Sequence, residues 1–144
     1  MSPEVWLDAK AVIDATLTGL ASNSPPVIIF PEYPNELFEP PEPIQTWLSI
    51  DIGGDVAEPI ELGGKTWEET GAIWLHLMLP IGDGIENGLT WRKAFSVAFR
   101  AAIPTVPGLY YRDQSFDPLG AEDGVWRRLS LIIRYEFNDI LITA

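Results

Sequence analysis

The chain has 144 residues, with 9 Lys+Arg against 21 Asp+Glu and a formal net charge of −12. Acids outnumber bases more than two to one, which argues against phosphate binding as the main activity, because such binding rests on cations that release counterions. The absence of Cys excludes disulfides, zinc-thiolate sites and thiol catalysis together.

At 47% hydrophobic and 21% charged, the composition is that of a globular protein. The length fits one domain over residues 1–144 with a core of its own. Met1-Ser2-Pro3-Glu4-Val5-Trp6 lacks a basic region followed by an apolar one, so no signal peptide is expected. No apolar run approaches the ~18 residues of a membrane span, and there is no repeat with a period of ~20–50 residues.

The first segment predicts an amphipathic helix from Pro3 to Leu20. Ser2 suits the N-cap, Pro3 the first helical position, and Glu4 the positive end of the helix. Trp6, Ala9, Ile13, Leu17 and Leu20 recur at helical spacing, widened by Val5 and Val12, with Thr16 the one polar residue among them. A short strand follows at Val27 to Phe30. Seven of the thirteen prolines lie between Pro25 and Pro43, and proline lacks the amide a central strand needs. Residues 31–41 therefore read as an extended loop over the body, or as a fixed docking arm with Tyr33 and Phe38 as anchors.

Alternation predicts a strand from Ile44 to Ile52, broken by Gly53-Gly54-Asp55. A hairpin then runs out from Val56 to Leu62, turns at Gly63-Gly64-Lys65 and returns from Trp67 to Leu79. In the return strand Ile73, Leu75, Leu77 and Leu79 face one way, and Trp74, His76 and Met78 the other. A second helix begins near Asn87 or Thr90 and runs to Ala102, with Trp91, Phe95, Ala98, Phe99 and Ala102 as its stripe and Pro104 as its stop. Leu109 to Phe116 is extended. The last strand, Trp126 to Phe137, places Leu129, Leu131, Ile133, Tyr135 and Phe137 on one face. Helix, strands, helix, strands predicts an α+β fold: an antiparallel or mixed sheet, two helices on one face, and an extended β-hairpin.

No phosphate loop, dinucleotide fingerprint or serine elbow occurs. Gly82-Asp83-Gly84 lacks the spacing of a calcium loop. His76, the one imidazole, reads as a partly covered sheet histidine, because no Ser, Cys or Asp stands at a motif spacing from it. Charge, by contrast, is segregated. From Glu32 to Glu69 ten acids face Lys65 alone, a balance of −9, whereas Arg92 to Arg134 holds seven bases and four acids, a balance of +3. Such a split allows head-to-tail contacts between copies, which can close into rings. Trp47 and Trp74 lie off the expected core face, so each is either covered by loops or an interface anchor.

Several short motifs occur in a fixed order. They are Phe30-Pro31-Glu32-Tyr33-Pro34-Asn35, Phe38-Glu39-Pro40, Leu62-Gly63, Thr70-Gly71-Ala72-Ile73-Trp74-Leu75 and Pro80-Ile81-Gly82-Asp83-Gly84. With the leading helix, this order resembles the tail terminator (tail completion) proteins of long, non-contractile-tailed bacteriophages. The resemblance covers residues 1–100; beyond them only the strand pattern fits. It implies a homohexameric ring that caps the head-proximal end of the tail tube, stops tube polymerisation and joins the tail to the head connector. The implied partners are further copies of the chain, the tail tube protein and the connector protein, with DNA passing through the ring without specific binding. The implied location is the virion tail, after assembly in the host cytoplasm. No enzymatic activity, cofactor or metal, and no membrane, is expected. On this reading Asp51, Asp55, Glu58, Glu61, Glu68 and Glu69 face the lumen or a neighbouring subunit. Arg92, Arg127, Arg128 and Arg134 make ring contacts, and Tyr33 and Phe38 anchor the proline loop. The alternatives are another ring-forming head-tail joining or tail tube subunit and, from a different class, a small carboxylate hydrolase or ligand-binding module.

Overall fold

Alternating apolar and polar side chains build three long strands side by side. The computed structural model describes residues 1–42, 44–60, 63–117 and 122–140, with backbone alone at 122, 123 and 140. Its elements are α1 (Pro3–Ala21), β1 (Phe30–Glu32), β2 (Trp47–Pro59), β3 (Thr66–Pro80), α2 (Glu86–Ala101), β4 (Leu109–Phe116), β5 (Glu122–Asp123) and β6 (Trp126–Ile140). The sheet order is β1-β2-β3-β6-β4, with β5 paired to the start of β6. β1 lies parallel to β2, and the other neighbours are antiparallel. The fold is α+β with a mixed sheet, as expected.

Both helices pack on one face of this sheet. Leu48 and Ile50 of β2, Ile73, Leu75, Leu77 and Leu79 of β3, and Leu129, Leu131 and Ile133 of β6 meet Ala9, Ile13 and Leu20 of α1 and Phe95 and Phe99 of α2. Each such aliphatic or aromatic side chain contributes about 1.5–3 kcal/mol by leaving water. The polar residue in the α1 stripe is satisfied locally, as the Thr16 hydroxyl donates to the Val12 carbonyl at 2.8 Å. α2 comes close to the sheet at Gly88, where a Cβ would lie 2.4 Å from Leu79 Cδ1 and 2.9 Å from Leu129 Cδ1.

Four local expectations change. Ser2 makes no side-chain cap; its hydroxyl is turned to Glu69 and donates to Oε1 at 2.7 Å, a charge-assisted bond. The first strand lies at Phe30–Glu32 rather than Val27–Phe30. Residues 44–46 stand outside β2, and Gly53-Gly54-Asp55 does not end the strand: the register shifts there and pairing with β3 resumes at Val56. This is a bulge, which bends a ladder without terminating it. Finally, the hairpin is not a free two-stranded arm, because β6 pairs with β3 from Thr66 to Pro80.

Candidate interaction surfaces

The sheet's second face carries Trp47, Ser49 and Asp51 of β2, Trp74, His76 and Met78 of β3, and Arg128, Ser130 and Arg134 of β6. The proline loop covers one end of it. Phe38 lies over Trp47, with ring centroids 5.0 Å apart, and Trp47 meets Trp126 edge-on at 5.9 Å. The Trp47 Nε1 is buried there without a hydrogen-bond partner. Trp74 stays 40% exposed. The two tryptophans that alternation placed off the core thus differ: one is loop-covered and the other faces solvent.

His76 lies between them, buried. Its Nδ1 is 2.6 Å from Ser130 Oγ, and its Nε2 is 3.7 Å from Asp51 Oδ2. Burial lowers its pKa and nearby Arg128 adds to this, while Asp51 and Asp117 oppose it. Ser130, His76 and Asp51 form a Ser–His–Asp line that sequence spacing did not reveal, because the three residues come from three strands. Ser130 is only 3% exposed, so its hydroxyl offers a substrate no open approach. In this geometry the line ties β6 to β3.

The acids expected at a lumen or interface fall into two groups. Asp51 and Glu58 are exposed on β2, and Glu68 stands opposite Glu58 on β3, a cross-strand pair of like charges that disfavours the isolated sheet. Asp55 and Glu69 instead face inward, toward the start of α1. Glu69 accepts from the Ser2 amide and hydroxyl, and Tyr135 donates to Glu69 Oε2 at 2.8 Å and lies 3.1 Å from Asp55 Oδ1. Asp55 also pairs with the Met1 ammonium. Burial and the facing carboxylates push ionisation of Tyr135 well above its ordinary range, so it remains a donor. This cluster requires Gly71, where a Cβ would fall 2.3 Å from Asp55 Oδ1 and 2.9 Å from the Tyr135 ring. Glu69 is therefore half-buried and engaged within the subunit, and Asp55 joins it there while remaining exposed. Glu61 lies outside the described residues.

The arginines divide likewise. Arg92 is held inside the subunit, donating to the carbonyls of Asp117 at 3.1 Å and Ser130 at 3.2 Å, with its guanidinium over Phe116. It ties α2 to the sheet, which corrects its expected role in a ring contact. Arg127 is half-buried beside the turn at Pro80–Ile85, with Nε unpartnered. Arg134 binds Asp113 at 3.0 Å and Ser115 at 2.7 Å, and Arg128 is exposed on the second sheet face.

The loop residues Tyr33 and Phe38 both pack on the body. Tyr33 donates to Asp14, lies under Lys10 Nζ at 4.8 Å and meets Trp6 edge-on. Between the two rings Leu37 is fully exposed. Sequence reasoning singled out the rings and passed over this leucine, although an apolar residue flanked by glutamates was the available signal. The outer surface of the helices was also missed. α1 and α2 leave a groove of about 780 Å³ lined by Val12, Ala15, Gly19, Ala94, Val97 and Ala101 among others.

No family model and no curated protein sequence matches this chain. A solved structure carrying no functional name is similar over 94% of this chain and 97% of its own, with a TM-score of 0.56 and 14% identity. That likeness concerns the fold. Among the described residues no helix is long and apolar enough to cross a membrane.

Proposed function

We propose that this protein is a structural subunit of a phage-type tail: a tail terminator that assembles with copies of itself into a ring at the head-proximal end of the tail tube. The ring stops tube polymerisation and presents its far side to the head connector, without enzymatic activity. The observation that carries the reading is the polarity of the uncovered sheet face. Asp51, Glu58 and Glu68 stand on its β2–β3 side, whereas on its β6 side Arg128 stands beside the ion pairs of Arg134 with Asp113 and Arg112 with Glu136. Opposite charges on opposite sides of one subunit favour head-to-tail contacts, the type that closes into rings. The residues of the motif order support it too: Tyr33-Pro34-Asn35 forms a pinned loop with Asn35 in the left-handed region at φ 57. An acidic lining is also suited to a passage for DNA, since it repels phosphates.

The decisive experiment images tails assembled without this protein. Tubes of uncontrolled length are expected, and an unchanged length distribution rejects termination. Purified protein that stacks into long filaments rather than single rings would favour a tube subunit instead.

A further inference from the structure

The outer face of α1 is anomalous for so charged a chain. Past Glu4, its charged residues are Asp8, Lys10 and Asp14, and all three are drawn to the flanks. Asp8 accepts from the Tyr111 hydroxyl at 2.5 Å and the Thr105 amide at 3.3 Å. Asp14 accepts from Tyr33, and Lys10 covers the Tyr33 ring. What remains facing solvent past Glu4 is Leu7, Ala11, Ala15, Thr18 and Gly19, running on to Val97 and Ala101 of α2 at the groove. Leu7 is 64% and Val97 46% exposed. A helix apolar on nearly every side is normally covered on every side, and a contiguous apolar patch marks an interaction surface.

Lys93 is the sole charged residue lining this groove, with Glu86 and Arg100 exposed seven residues to either side of it on the same helix. Among the described residues neither Lys93 nor Arg100 is in an ion pair. The complementary shape and charge occur in this same chain. Leu37 projects between Glu36 and Glu39, both exposed. The knob is held in place: Tyr33 and Phe38 fix its two ends, and the Glu36 amide donates to the Tyr33 carbonyl at 3.3 Å. A preorganised apolar tip loses little freedom on docking. Tyr33 sits on the Trp6–Lys10–Asp14 flank of α1, whereas the groove lies on the Val12–Ala15–Gly19 side, so the loop that bears the knob is anchored on a different flank of α1 from its own groove.

We propose that the α1–α2 groove receives the Leu37 knob of a second copy of this chain, with Glu36 and Glu39 of one copy against Lys93 and Arg100 of the other. The contact is non-reciprocal, so each bound copy keeps one knob or one groove open for the next, as a ring requires. It deepens the ring reading above and rests on it.

The test is sedimentation velocity at tens of micromolar protein. Leu37→Asp and Val97→Asp, both at exposed positions, should each keep the native far-UV spectrum and thermal midpoint. Each should weaken association by about tenfold or more, the effect of withdrawing one buried leucine or valine. Mixing the two variants should produce a heterodimer and nothing larger, because one intact knob and one intact groove remain. Lys93→Glu with Arg100→Glu should also break association, and copies carrying Glu36→Lys with Glu39→Lys should restore it. Wild-type oligomers that survive Leu37→Asp overturn this contact and leave the ring standing. So does a mixture, in either pairing, that stays monomeric. A wild-type chain that is monomeric at every concentration overturns both the contact and the ring.

Discussion

On the helix-covered face of the sheet, polar groups find their partners inside the subunit. Tyr135 is clamped by Glu69 and Asp55, Tyr111 by Asp8, and Ser96 of α2 exchanges bonds with Gln114 of β4. On the opposite face Trp74 and Asp51 stand in solvent, whereas His76, Ser130 and the end near Trp47 and Trp126 are sheltered. One face holds the helices to the sheet; of the other, the part around Trp74 and Asp51 adds little to the packing.

Substitutions on the covered side should cost the most stability. Phe95 is 1% exposed, and Phe95→Ala should cost about 3–5 kcal/mol in denaturant unfolding, through lost transfer and the cavity left behind. Tyr135→Phe is the next test. It deletes the donor that Glu69 and Asp55 share and leaves two carboxylates facing each other, an expected cost of about 1–3 kcal/mol. A cost no larger than that of an exposed Tyr110→Phe would show that the clamp contributes nothing.

His76 probes the boundary between the faces through pH. Burial depresses its pKa, so the folded chain binds fewer protons than the unfolded chain below neutrality. Stability from neutral His76 is complete above the unfolded value of about 6.5 and drains away as pH falls toward the folded one. The stability difference between wild type and His76→Gln should therefore shrink from pH 7.5 to pH 5.5. A constant difference would refute the depressed titration. The smallest stability effect belongs to the uncovered face, where Trp74→Ala should shift unfolding by only about 0.5 kcal/mol. A loss several times larger would show that this face supports the fold as well.

What was legible in the sequence follows periodicity. Ile73 to Leu79 and Leu129 to Phe137 alternate cleanly, and those residues line the core. Pairing between distant strands leaves no such trace. Nothing in the run Trp126–Ile140 says that it inserts between β3 and β4, nor that β1 is parallel to β2. Asp55 and Glu69 count as two more acids until Tyr135 is brought opposite Gly71 by the β3–β6 register. A glycine inside an otherwise regular strand was the clue to a close approach. Arg92 was grouped with the interface cations on the sign of its charge, whereas its burial against Phe116 depends on where β4 ends.

The inner position of β6 has a consequence for how the protein comes into being. This strand is the last of the described elements in chain order, yet both β3 and β4 pair with it. During synthesis those two strands wait with bare edges until it arrives. The sheet therefore closes late, by contacts between segments far apart along the chain, and folding of this kind is slow. Until that moment the exposed edges are open to mispairing with other chains, a tendency that mutual repulsion between the acidic stretches around β2 of unfinished chains opposes.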